Sequence, residues 1–164
     1  MTEILVTELP KRILIGKSAD FYGAMSPKFN GQEKLGPVWG LVQAKRVELG
    51  LPADSIMVGA TRPADSPEAS NGLMNQFVGI VVDEIPADLK GLDVLEVEAG
   101  LYATTEHVGG METLVDSIQK FYADLLPDFG CTRTSGLHLE IYDTRFDLES
   151  PDSIMTIAAP VKRN

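Results

Sequence analysis

The stretch Leu137-His138-Leu139-Glu140-Ile141-Tyr142 alternates apolar and polar side chains. With the two-residue period of a strand, Leu137, Leu139 and Ile141 face one way, and His138, Glu140 and Tyr142 the other. Two environments are open for that polar face. In water it is the solvated side of a half-exposed strand. In a cavity, Glu140 becomes a desolvated carboxylate whose proton affinity rises unless a cation compensates. A lipophilic cation supplies that compensation, and aromatic faces around it add roughly 0.5–2 kcal/mol each. Tyr142 shares the face and can hydrogen-bond Glu140 or stack on a ligand. His138 reads as a satisfied surface imidazole.

Other chemistries fail on spacing. Ile15-Gly16-Lys17-Ser18 resembles the end of a phosphate-binding loop, but that loop needs Gly where Lys11 stands. Gly16-Lys17-Ser18-Ala19-Asp20 misses the second glycine of a nucleophile elbow. His107, Cys131 and His138 fall on different elements without the spacing of a zinc site, so no metal is expected. No cofactor is expected either.

The elements that must position these residues follow from periodicity. Val38, Trp39, Val42 and Leu49 form one stripe of a helix over Gly36 to Leu49, with Leu41 widening it. Pro37 suits its first turn, Gly50 its C-terminal cap, and Pro52 prevents continuation. Leu114, Val115, Ile118, Phe121, Tyr122 and Leu125 mark a second helix, which Pro127 should end. Strands are expected over Glu3 to Lys17 (with a bend at Pro10), Ser55 to Arg62, Leu73 to Ile85, Asp93 to His107, Leu137 to Arg145 and Ser153 to Lys162. The order is β-α-β-β twice. Gly59-Ala60-Thr61-Arg62 and Tyr142-Asp143-Thr144-Arg145 echo one another at strand ends.

The expectation is a single α+β domain over 1–164, made of a duplicated β-α-β-β repeat with halves at about 1–86 and 92–163. Its sheets would be antiparallel, with two main helices on one side and a pocket at the seam between pseudo-twofold halves. A chain of 164 residues can bury a sizeable core without staples. Its 24 acidic residues against 14 Lys plus Arg leave a net charge of −10, which argues against a direct nucleic-acid partner. The longest charge-free stretch, Ala69 to Val82, is too short and too polar to span a membrane. The single Cys131 and the absence of a signal-like start point to the cytoplasm.

Over nearly the whole chain, the sequence resembles the GyrI-like small-molecule-binding domains, which also serve as effector-binding domains of bacterial multidrug-responsive transcription regulators. The resemblance rests on Leu14-Ile15-Gly16-Lys17, Pro37-Val38-Trp39, Gly100-Leu101-Tyr102-Ala103 and Glu106-His107-Val108-Gly109-Gly110. Leu126-Pro127-Asp128-Phe129-Gly130, Leu139-Glu140-Ile141-Tyr142-Asp143 and Ala159-Pro160-Val161-Lys162 complete it. It implies the same duplicated fold and a junction pocket whose central glutamate is Glu140, the acceptor of bulky aromatic or amphipathic cations. Trp39 and Tyr102 match positions where the family often places pocket aromatics, whereas Leu125 stands where relatives often carry Trp. The first strand begins near Glu3, so no DNA-binding helix-turn-helix is expected ahead of it.

Each aromatic also has a purely structural role open to it. Trp39 and Phe77 could be core rather than wall, and Tyr102 an inward strand aromatic with a backbone partner. Phe21 and Tyr22 could form a lid or ordinary loop packing. The leading expectation is a stand-alone binder of amphipathic, cationic aromatic molecules, with Glu140, Trp39, Tyr102, Tyr142 and Phe77 as ligand-binding residues. Some GyrI-like proteins are hydrolases of cyclopropane-bearing genotoxins. On that alternative, Glu140 is the general base and Tyr142 or Tyr102 orients the nucleophile. A gyrase-interacting protein is the third possibility, though the charges are scattered rather than blocked into a surface.

Overall fold

The computed structural model describes residues 3–164. The chain runs β1 (Leu5–Leu9), β2 (Arg12–Tyr22), α1 (Gly31–Glu48), β3 (Met57–Pro63) and β4 (Leu73–Val82). It continues through β5 (Asp93–Val97), β6 (Gly100–Val108), α2 (Leu114–Lys120), α3 (Leu126–Asp128), β7 (Cys131–Arg133), β8 (His138–Tyr142) and β9 (Ile154–Arg163). This is an α+β fold with one large antiparallel sheet, ordered β1-β6-β9-β8-β3-β4-β2-β5, and with β7 added on β9.

The strands expected over 3–17 and 93–107 are each two. Pro10 offers no N–H and fixes its own φ, so the chain on either side joins different neighbours. β1 pairs with β6, while β2 pairs with β4 and β5. Strands from early and late in the chain are therefore interleaved, β1 against β6 and β5 against β2. The β8–β3 junction divides the order into two blocks with matching roles, β1-β6-β9-β8 and β5-β2-β4-β3.

Gly16 has a structural reason where it stands. A Cβ there would lie 1.8 Å from the Val78 carbonyl oxygen, because β2 and β4 approach closely at the Gly16–Gly79 pair. The phosphate-loop likeness at Ile15-Gly16-Lys17-Ser18 is thus the middle of a continuous strand.

Helix α1 begins more than a turn before the expected Gly36, which places Pro37 inside it, on the exposed side. Its end follows the expectation. Gly50 has φ 69°, its N–H donates to the Val47 carbonyl, and the Leu51 N–H donates to the Arg46 carbonyl. That pair of bonds is a Schellman cap, which satisfies carbonyls the helix leaves free. Leu41 faces out rather than widening the buried stripe.

The second helical segment does not end at Pro127. Between α2 and α3 it opens into a π turn over Phe121–Leu125, where the Leu126 N–H donates to the Phe121 carbonyl. The wider turn accommodates a residue without an N–H, and the helix stops only at Gly130, at φ 78°.

Two cores result. Ile15, Val42, Ile80, Phe121, Met155 and Ile157 belong to the cluster that helix residues share with one face of the sheet. Leu14, Val58, Phe77, Tyr102, Leu139 and Ile141 belong to a second cluster on the other face. Val97, from β5 at one end of the order, joins that same cluster with Tyr102 from β6 near the other end, so the sheet curves around it.

Candidate functional site

Where β3 meets β8 the register is Met57↔Tyr142, Gly59↔Glu140 and Thr61↔His138. These pairs share the sheet face that α1 and α2 flank. The helices leave a cavity of about 1190 Å³ over this seam. On α1, the stripe Gln32, Leu35, Gly36, Trp39, Gly40 and Gln43 turns toward it, repeating at three and four residues. A Cβ at Gly36 or Gly40 would meet nothing within 4 Å, so these glycines leave the wall open rather than easing a contact.

Glu140 lies on the β8 strand with its side chain 13 % exposed. The Tyr142 hydroxyl donates to its Oε1 at 2.8 Å. The His138 Nε2 stands 3.5 Å from its Oε2. On the far side of that imidazole, Nδ1 is hydrogen-bonded to the Tyr122 hydroxyl. Arg133 lies over the Tyr122 ring, with its Cζ 4.9 Å from the centroid. The series Tyr142–Glu140–His138–Tyr122–Arg133 thus runs continuously along the cavity.

Burial is the main cause holding both tyrosines protonated. Tyr122 is pushed up to about 12 by desolvation, with Arg133 pulling it down and Glu140 adding a smaller upward push. Tyr142 is driven well above its ordinary value by burial, then by the Glu140 charge and the hydrogen bond it donates there. Both phenols are therefore neutral donors, and neither supplies a charge to match Glu140.

The aromatic wall is built edge to face. Trp39 meets Tyr142 at 4.8 Å between centroids and 78°, and Tyr142 meets Phe146 at 4.7 Å and 81°. Asp143, also at the cavity, is already engaged: hydrogen bonds from Arg145 hold its carboxyl below the usual range. Arg145 also pairs with Glu106.

Of the residues singled out in the sequence, Glu140, Tyr142 and Trp39 line the cavity, and Phe77 and Tyr102 do not. Phe77 pairs with Ala60, and both point into the second core, while its neighbour Gln76 takes the cavity side. Tyr102 joins the same core on the opposite sheet face. The one-residue alternation of a strand separates wall from core, and periodicity alone does not say which face carries the cavity.

Phe21 and Tyr22 end β2 instead of forming a connection, and Phe21 reaches the cavity. His138, expected at the surface, is 6 % exposed and sits beside Glu140. Tyr122, Arg133, Phe146 and Gln76 were not anticipated at the site. A hydroxyl on the otherwise apolar stripe of the second helix was the available signal for Tyr122. Arg133 depends on β7, which is too short to read from pattern.

Gln76 is 2 % exposed, and its amide donates to the Thr61 hydroxyl at 3.0 Å. It also covers Gly59, where an added Cβ would come within 2.9 Å of the amide carbon. Among the described residues no group of three or more His, Cys, Asp or Glu is placed to hold a metal ion, and no helix is long and apolar enough to cross a membrane.

Comparisons with known structures agree with this architecture. The structure of SAV2435 bound to tetraphenylphosphonium is 19 % identical, with a TM-score of 0.72 over 98 % of this chain and 94 % of that one. The C-terminal domain of EcmrR is 19 % identical, with a TM-score of 0.62 over 99 % and 98 % of the two chains. A hydrolase from Listeria innocua is 13 % identical, with a TM-score of 0.53 over 98 % and 92 %. At these identities the likeness is one of fold. No curated protein matches the chain. Residues 2–162 match the family described as the GyrI-like small molecule binding domain, and to that family this chain belongs.

Proposed function

We propose that the protein binds bulky aromatic or amphipathic cations in the seam cavity, with Glu140 as the counter-charge. The observation that carries this reading is a carboxylate on the floor of a large, mainly apolar cavity whose nearest polar neighbours are a neutral tyrosine and a histidine. A carboxylate so enclosed gains from a ligand that brings positive charge without needing to be rehydrated. Trp39, Tyr122, Tyr142 and Phe146 supply ring faces and edges for the ligand's apolar bulk. A relative of the same fold was solved with tetraphenylphosphonium, a cation of this description.

Trp39 is the only tryptophan, so its fluorescence reports the cavity directly. Tetraphenylphosphonium should quench or shift that signal and raise the Tm, while the neutral triphenylphosphine oxide should do neither at equal concentration. A ligand at 100 times its Kd adds about 2.7 kcal/mol of stability. Equal response to both compounds would remove charge from the account.

The hydrolase reading rests on the same residues. On it Glu140 would activate a water while the Tyr142 hydroxyl donates to its Oε1. Turnover separates the two: a hydrolase releases product beyond one equivalent, and a binder does not.

A further inference from the structure

The cavity carries a second, opposite charge that the cation reading does not use. Arg133, on β7, lines the same cavity as Glu140. β7 holds it there by pairing Arg133 with Val161 of β9, and the Thr134 N–H donates to the Pro160 carbonyl. Among the described residues the guanidinium has no carboxylate or carbonyl partner. Its contact is the face of Tyr122, at 4.9 Å. Arg133 is exposed at the edge of the cavity, so its N–H donors, which form the fork that matches a carboxylate, are open to a ligand. The other charged groups facing the cavity are disposed differently: Asp143 is paired with Arg145, and Glu112 is a carboxylate itself. The Tyr122 hydroxyl feels Arg133 and Glu140 with opposite sign, which places both charges within electrostatic reach of one atom.

We propose that the preferred ligands are zwitterionic: aromatic cations that also carry a carboxylate, with the positive end at Glu140 and the carboxylate at Arg133. The rings of Tyr122 and His138, 5.5 Å apart between centroids, stand between the two protein charges and set the separation the ligand must match. A rigid aromatic scaffold with a carboxyl on a pendant ring fits that description. This inference rests on the cation reading and adds to it a requirement at the other end of the molecule.

Rhodamine B, a xanthylium cation with a free carboxylate, and its ethyl ester, which keeps the cation alone, form a matched pair. Binding followed by fluorescence anisotropy should favour the acid over the ester by about tenfold, the scale of one charge-assisted hydrogen bond. Arg133→Gln should abolish that preference, bringing the acid-to-ester ratio to about one, and Arg133→Lys should retain part of it. Unchanged far-UV circular dichroism would show that the variants fold. Glu140→Gln should weaken both dyes by a similar factor. An acid-to-ester ratio near one in the native chain, or a ratio that survives Arg133→Gln, overturns the assignment of Arg133. If instead Glu140→Gln leaves both dyes unaffected while Arg133→Gln removes the preference, the Arg133 site stands and the cation reading fails.

Discussion

Tyr122 holds its proton more tightly in the folded chain than an exposed phenol does, because ionising it would put a charge in a desolvated site near Glu140. Its folded value is raised from 10 to about 12, so the stability it contributes is complete below pH 10 and is lost as pH rises toward 12. At about pH 11 the native chain should have lost on the order of 1 kcal/mol more than a Tyr122→Phe variant, relative to each protein's neutral-pH stability. Denaturant unfolding at neutral and alkaline pH measures this, and identical pH dependence in the two proteins would contradict it. The same residue marks what was legible at this scale. Period two correctly put Glu140, Tyr142 and His138 on one face, but it gave no depth, so the histidine was placed at the surface. Phe77 was read as either core or wall; the strand turns it into the second core and brings its neighbour Gln76 to the cavity.

At the scale of elements, α1 carries an avoidable cost. Glycine in a helix interior is about 1 kcal/mol less favourable than alanine, and Gly36 and Gly40 both face the cavity with nothing to meet a Cβ. The Gly40→Ala variant should therefore be more stable by about 0.5–1 kcal/mol, while tetraphenylphosphonium binds it less tightly because the wall has moved inward. A variant that binds the cation as tightly as the native chain would show that Gly40 does not shape the site. The helix itself and its Gly50 cap were readable from apolar spacing and a terminal glycine. The π turn was not, since a single widened turn leaves the stripe of Leu114, Ile118, Phe121 and Tyr122 almost unchanged in sequence. That turn lies where Tyr122 meets His138, so the missed irregularity and the missed site residue are one feature.

For the whole molecule, the telling feature is the exchange of first strands, with β1 on β6 and β5 on β2. Strands from early and late in the chain are interleaved in one continuous sheet. Heating should thus give one cooperative calorimetric transition, with the van't Hoff and calorimetric enthalpies equal, and two resolved transitions would mean that the halves fold separately. The α+β class, the antiparallel sheet and the two main helices were legible from the order of periodic segments. The exchange was not, because a strand's pattern of apolar residues fits any partner of matching face, and only Pro10 hinted that 3–17 is broken. The seam brings α1, β3, the second helical segment and β8 to one cavity, and its floor residue is Glu140. The most direct test is calorimetric titration of tetraphenylphosphonium into the native chain and into Glu140→Gln, which keeps shape and removes charge. Loss of a buried charge partner predicts at least about a tenfold weaker Kd in the variant. Equal affinity in the two proteins would contradict the assignment of Glu140 as the counter-charge.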